Sequence, residues 1–251
     1  MSEEVDVFPS VELLVDAAAA FVVERALQAQ RFTGRFVIAL SGGSTPRGLF
    51  ARLASSPYID QVDWTRVFVC WSDERCVPPS DPQSNYRLAR ETLLGHIAIP
   101  SANVLRMRGE LEPEASALDY ERELRALLTT EHGEPRIEAG HRIDLLLLGL
   151  GADGHTASLF PHGKSVDERT RWVSAEYGTL VQMWRLTLTP PLLNAASDVL
   201  FLVTGEEKAE TVRRVLNDPV NHLLLPAQVI QPIAGNVRWM LDSSAASALS
   251  R

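Results

Sequence analysis

Lysine is almost absent from this 251-residue chain: it stands only at Lys164 and Lys208, while arginine supplies the other 22 of the 24 basic residues. Each lysine is therefore a conspicuous use of a compact ammonium where arginine is the default cation. Cysteine is as scarce. Cys70 and Cys76 alone provide neither a disulfide framework nor a four-ligand zinc set, and read as reduced thiols. No apolar run approaches the roughly 20 residues of a membrane span, and the acidic start MSEEVDVFPS is unlike the basic, then apolar, opening of a signal peptide. Basic charge is also in deficit: a net charge of −8 argues against a broad face for nucleic acid or anionic membrane. The expectation is a cytoplasmic protein, monomer or small homo-oligomer, in which any anionic ligand is met by local cations.

What is present fits one α/β domain over residues 1–251, since 45% hydrophobic content at this length supports a large core. Ser10 caps a helix through about Gln30, with Leu13, Leu14, Ala17, Phe21, Val22 and Leu27 near one stripe. Arg35 to Leu40 reads as a buried strand, and Pro46 as the first residue of a helix through about Ala54, capped by Ser44 or Thr45. Val67 to Trp71 is the next strand, before a Pro-rich loop at Val77 to Pro82 and a helix from Ser84 to Leu94. Another helix, Pro113 to Thr130, puts Leu118, Leu124, Leu127 and Leu128 on its buried side, and the polar Glu131 to Gly140 stretch reads as a surface loop. Strand signals follow at Ile143 to Leu148, Trp172 to Ala175, Arg185 to Thr189 and Asp198 to Thr204, with a helix over Glu207 to Leu216. Strands alternating with helices imply a mostly parallel, doubly wound, Rossmann-like sheet with helices on both faces.

Three strand ends carry the chemistry. The apolar run before Gly149 delivers Asp153, Gly154 and His155, then a small-residue segment suited to begin a helix. Ligands of open α/β sheets sit beyond the carboxyl ends of the strands, so His155 projects into the cleft. Imidazole titrates near neutrality and serves as general acid or base; Asp153 either orients it or holds the turn. After the second strand, Ser41-Gly42-Gly43-Ser44-Thr45-Pro46 offers hydroxyls and backbone N–H groups at a helix N-terminus, a place for one phosphate or carboxylate. It lacks the spacing and lysine of a nucleotide P-loop. After the third, Asp73 and Arg75 face the cleft and Glu74 reads as a surface ion pair. Arg185 and Lys208 complete a phosphate clamp with the glycine turn. His162 belongs to a loop, and Asp153-x-His155 by itself does not make a metal site.

In combination, SGGSTP at 41–46, WSDER at 71–75, GLGADGHTASLFP at 149–161, RLTLTPPLLNAA at 185–196 and the G-x-x-K of Gly205 to Lys208 closely resemble the 6-phosphogluconolactonases, in the superfamily shared with glucosamine-6-phosphate deaminase. The resemblance implies hydrolysis of 6-phosphogluconolactone in the oxidative pentose phosphate pathway, with no metal or organic cofactor. In the deaminases the segment after the histidine resembles Ile-Ala-Phe-Asn-Glu-Pro, and its Glu assists ring opening; here Phe160 stands at that place. A sugar-phosphate isomerase or deaminase is thus the second expectation, and a non-catalytic sugar-phosphate-binding module the third.

Overall fold

A parallel sheet of six strands organises the molecule, and its order decides where a ligand can sit. The computed structural model describes residues 3–128, 142–179 and 181–249. Its strands are β1 (Glu3–Phe8), β2 (Phe36–Leu40), β3 (Val67–Trp71), β4 (Asp73–Arg75), β5 (Leu145–Leu148), β6 (Val173–Gly178), β7 (Met183–Leu188), β8 (Asp198–Val203) and β9 (Asn236–Asp242). Its helices are α1 (Val11–Phe32), α2 (Ser44–Leu53), α3 (Asn85–Ala89, continued by a π-type turn over Arg90–Leu94), α4 (Pro113–Leu128), α5 (Pro190–Leu193) and α6 (Ala209–Asn217). No helix among the described residues is long and apolar enough to cross a membrane.

The large sheet runs β1-β9-β8-β5-β2-β3, and each neighbouring pair is parallel. From β2 the chain steps outward to β3, returns past β2 to β5, and continues the other way to β8 and β9. Right-handed crossovers place their helices on opposite faces when the direction of winding reverses, so both faces are covered and the β2–β5 junction is the switch point. Double coverage explains the unbroken burial of FVIAL in β2 and LLLL in β5.

Several local expectations change. The strands anticipated at 172–175 and 185–189 exist as β6 and β7, but they leave the parallel sheet and pair antiparallel with β4 in a second sheet, β4-β7-β6. Strands β1 and β9 were not anticipated. The acids of EEVDVF hide β1, a partly exposed edge strand that gains its order by pairing with β9. The segment after His155 does not begin a helix: Ala157 takes φ 47° and Thr156 bridges Leu159, closing a turn instead. Helix α2 starts at Ser44, and its cap is Gly43 with φ 119°, so Ser44 and Thr45 fall in the first turn. A left-handed backbone there favours glycine over a side-chain cap.

Two helix stripes are also rotated. Helix α1 buries Leu14, Ala18, Val22, Ala26 and Ala29, a small-residue ladder that lets it sit close to its neighbours, and leaves Leu13 and Leu27 about half exposed. Helix α4 exposes Leu118 and buries Tyr120, whose hydroxyl accepts the Trp71 N–H at 2.8 Å. Residues 129–141, including the polar stretch Glu131 to Gly140, lie outside the described residues.

Ser72 joins the two sheets. Its N–H donates to Leu40 of β2 and its carbonyl accepts from Leu188 of β7, both at 2.8 Å. The Ser72 hydroxyl donates to the same Leu40 carbonyl at 3.1 Å.

Candidate active site

The carboxyl ends of β2, β5 and β8 and strand β4 enclose a cleft of about 320 Å³, within the usual size of small-molecule sites. Ser41, Gly42 and Gly43 come from the β2 turn, and Asp73 and Arg75 from β4. Gly149 to Gly151, His155 and Ala157 follow β5; Lys208 follows β8; and Asn85 opens α3. The three strand ends singled out by sequence therefore meet in one place.

His155 is held from three sides. Its Nδ1 lies 2.5 Å from Asp153 Oδ1, and the same oxygen accepts the His155 backbone N–H at 3.2 Å. A carboxylate partner keeps the proton on Nδ1 and leaves Nε2 with its lone pair free. Burial works against ionisation of Asp153, yet the hydrogen bonds it accepts from the His155 side chain and backbone bring its pKa below the ordinary value. The Phe160 ring lies against the imidazole, with centroids 5.0 Å apart and planes tilted by 53°. On the third side, a Cβ at Gly151 would stand 2.0 Å from His155 Nδ1 and 2.6 Å from Asp153 Oδ1, so the dyad occupies the space that any side chain at 151 needs.

Strand β4 sorts its three residues by the two-residue period of a strand. Asp73 and Arg75 face the cleft. Asp73 is 8% exposed and accepts from Ser158 Oγ at 2.7 Å and from Asn85 Nδ2 at 3.3 Å. Glu74 points the other way, and the surface ion pair expected of it does not form: it is 3% exposed. Its carboxylate accepts the N–H groups of Arg75, Asn85 and Tyr86 at 2.7–2.8 Å and the Ser84 hydroxyl at 3.0 Å. Burial nonetheless pushes the Glu74 pKa up, with those bonds opposing it. Glu74 therefore fixes the start of α3, and with it Asn85, over the cleft.

The remaining expected residues divide. Lys208 lines the cleft and makes no ion pair among the described residues. Arg185 lies opposite Arg75 in the β4–β7 register, which puts both side chains on one face, but it is buried and is not among the residues that line the cleft. Its Nε and Nη1 have no partner among the described residues. Burial and then the neighbouring Arg75 charge lower its pKa, against the pull of Asp73. Ser44 is exposed and Thr45 is buried with its hydroxyl 2.8 Å from Thr204 Oγ1; neither side chain lines the cleft.

Asn85 and Ser158 were missed by sequence. Ser84 signals a helix start, which marks position 85 as an N-terminal residue, but nothing local places it against Gly42. The thiols offer no nucleophile: burial pushes Cys70 up to about 12 and Cys76 to about 11. Among the described residues no group of three or more His, Cys, Asp or Glu is placed to hold a metal.

Comparison with known proteins agrees with this layout. The family model for glucosamine-6-phosphate isomerases/6-phosphogluconolactonase matches residues 9–239. A 6-phosphogluconolactonase of Haemophilus influenzae is 40% identical over 212 residues, covering 84% of this chain and 87% of that protein. One from a Nostoc species is 35% identical over 251 residues, the whole of both chains. The solved structure of 6-phosphogluconolactonase from Trypanosoma brucei superposes with a TM-score of 0.84 at 30% identity, covering 99% of each chain.

Proposed function

Because the chain belongs to the glucosamine-6-phosphate isomerase/6-phosphogluconolactonase family, we propose that this cleft hydrolyses 6-phospho-D-glucono-1,5-lactone to 6-phospho-D-gluconate with His155 as its acid–base group. The protein is a 6-phosphogluconolactonase-type ester hydrolase of the oxidative pentose phosphate pathway. The observation that carries the mechanistic reading is the Asp153–His155 dyad with Phe160 packed on it. This arrangement supports His155 as the base through Nε2, and Phe160 is the departure, by motif resemblance, from the glutamate of the ring-opening deaminases.

The phosphate docks on the amides of the Gly42 to Thr45 turn, at the positive end of α2, with Lys208 in the cleft and the charge of Arg185 on the face it shares with Arg75. Thr45 contributes its backbone there, since its hydroxyl is engaged by Thr204. This anchoring presents the lactone carbonyl to His155. Nε2 takes a proton from a water, the hydroxide adds to C1, and the tetrahedral oxyanion collapses with cleavage of the C1–O5 bond. The imidazolium returns its proton to O5. Asp153 stabilises the imidazolium in between. Asp73 and Arg75 bind the sugar hydroxyls or polarise the reacting carbonyl, and a guanidinium that donates to the Gln83 carbonyl and pairs with no carboxylate among the described residues suits the developing charge. A lactone is already an activated ester, so the reaction needs no redox group. The expected setting is cytoplasmic, and the expected state a monomer or small homo-oligomer.

The test is a coupled assay on freshly generated lactone, corrected for spontaneous hydrolysis, beside glucosamine 6-phosphate. Wild-type protein is expected to accelerate the first, and His155→Ala to lower kcat about 10²–10⁴-fold with binding largely retained. Turnover of glucosamine 6-phosphate alone reverses the reading, and undiminished kcat in the variant removes His155 from it.

A further inference from the structure

Asn85 is 1% exposed yet contributes to the cleft wall. Its Nδ2 donates to the Asp73 carbonyl at 2.9 Å and to Asp73 Oδ1 at 3.3 Å. Two acceptors on that side fix which end of the carboxamide is nitrogen. Oδ1 must then point the other way, and it does so toward Gly42, where it occupies the spot 1.9 Å from any Cβ that residue 42 might carry. Oδ1 is buried and has no hydrogen-bond partner among the described residues. An acceptor left in this condition costs stability unless a donor completes it, and such groups in native proteins mark a functional demand. Gly42, in contact with it, belongs to the same cleft.

We infer that Asn85 is a substrate-recognition residue whose Oδ1 accepts a hydrogen bond from a ring hydroxyl of the sugar lactone. The inference rests on the lactonase reading of the cleft. The carboxamide is oriented before substrate arrives, because Glu74 holds the Asn85 backbone N–H at 2.7 Å, Asp73 holds Nδ2, and the glycine at 42 leaves room for Oδ1. A phosphate oxygen has no proton to offer this acceptor, whereas the hydroxyls at C2, C3 and C4 of the lactone do. Asn85 thereby reads the polyol portion of the substrate, and it binds Asp73 and a sugar hydroxyl with opposite ends of one rigid group.

The experiment measures kcat/KM for wild type and Asn85→Ala on the parent lactone and on its 2-, 3- and 4-deoxy analogues. For one analogue, the wild type is expected to lose about tenfold to a hundredfold. Asn85→Ala loses a similar factor on the parent but nothing more on that analogue, the non-additivity that two partners of one bond show. Each ratio compares substrates on one preparation, so altered stability cancels. Should the alanine variant not fold, Asn85→Ser, a residue favoured at helix starts, carries the same comparison. An equal penalty on all four lactones overturns the inference, because Asn85 would then act only through Asp73. Failure of the lactonase reading looks different: wild type would not accelerate the parent lactone at all.

Discussion

Gly151→Ala isolates the geometry of the dyad from its chemistry. The added methyl carbon falls 2.0 Å from His155 Nδ1, where ordinary contact begins at 3.4 Å. The imidazole must retreat by more than an ångström, and Asp153, 2.6 Å from the same carbon, must move with it. Displacements of this size in a reacting group cost on the order of 10²-fold in rate, or about 2.7 kcal/mol. Gly151 does not use a left-handed backbone, so alanine there carries no conformational penalty of that kind and the loss concentrates in the side-chain clash. The expected result in the coupled lactonase assay is kcat reduced about a hundredfold, KM within a few-fold of wild type, and thermal unfolding still cooperative. Gly149→Ala is the contrasting variant: its new carbon meets no protein atom within 4 Å, so the dyad stays in place, and because Gly149 lines the cleft any loss there is expected in KM rather than kcat. If Gly151→Ala turns over lactone like wild type, or if both variants lose kcat equally, the dyad is not the catalytic element.

Other perturbations address the clamp, the support and the charge balance. Lys208→Ala is expected to raise KM for the phosphorylated lactone by tenfold or more, roughly the worth of a charged hydrogen bond, while sparing unphosphorylated gluconolactone; equal effects on both remove Lys208 from the clamp. Glu74→Gln offers one acceptor oxygen to four donors and should cost about 1–3 kcal/mol in urea denaturation, with kcat/KM falling as Asn85 loosens; an unchanged midpoint contradicts the assigned support. Burial raises the Asp144 pKa from 3.8 to about 6, against the Val37 N–H and the nearby arginines. The folded state thus holds this proton more tightly than the unfolded chain, and the stability it lends is full below pH 4 and lost as pH rises through 6. Asp144→Asn should therefore gain about 1–2 kcal/mol over wild type at pH 7, after allowing for a weaker bond from Val37, and that advantage should vanish at pH 4; an advantage independent of pH refutes the assignment.

The parts of this molecule that the sequence displays are those governed by short-range pattern. Buried strands such as β2 and β5 announce themselves as apolar runs, and the glycine turns after them mark where the backbone changes course. Strand β1 conceals itself because its acidic residues are tolerated only at an exposed edge, a fact of sheet order rather than of local composition. Three residues of β4 are too few for any period to emerge, so although β6 and β7 show as strands, their pairing with β4 in a second sheet is invisible in the sequence and Glu74 looks like a surface charge. Its four donors come from Arg75 and from residues 84–86 across the Pro-rich loop. Within the site, His155, Asp73, Arg75 and Lys208 are legible because each follows a strand end. Asn85 is not, since its role depends on lying against Gly42, 43 positions away in the chain.

Ser72 acts as a rivet: one residue with no exposed surface whose backbone is bonded to β2 on one side and to β7 on the other. The glycine turn one residue past Leu40 and the Asp73–Arg75 strand therefore share a fixed origin. Adaptation of this scaffold to longer or bulkier lactones has correspondingly little freedom at the sheet junction. New specificities would have to arise in the Val77 to Pro82 loop and the segment around Leu225 that packs on Gly154, where a change of length leaves the rivet untouched.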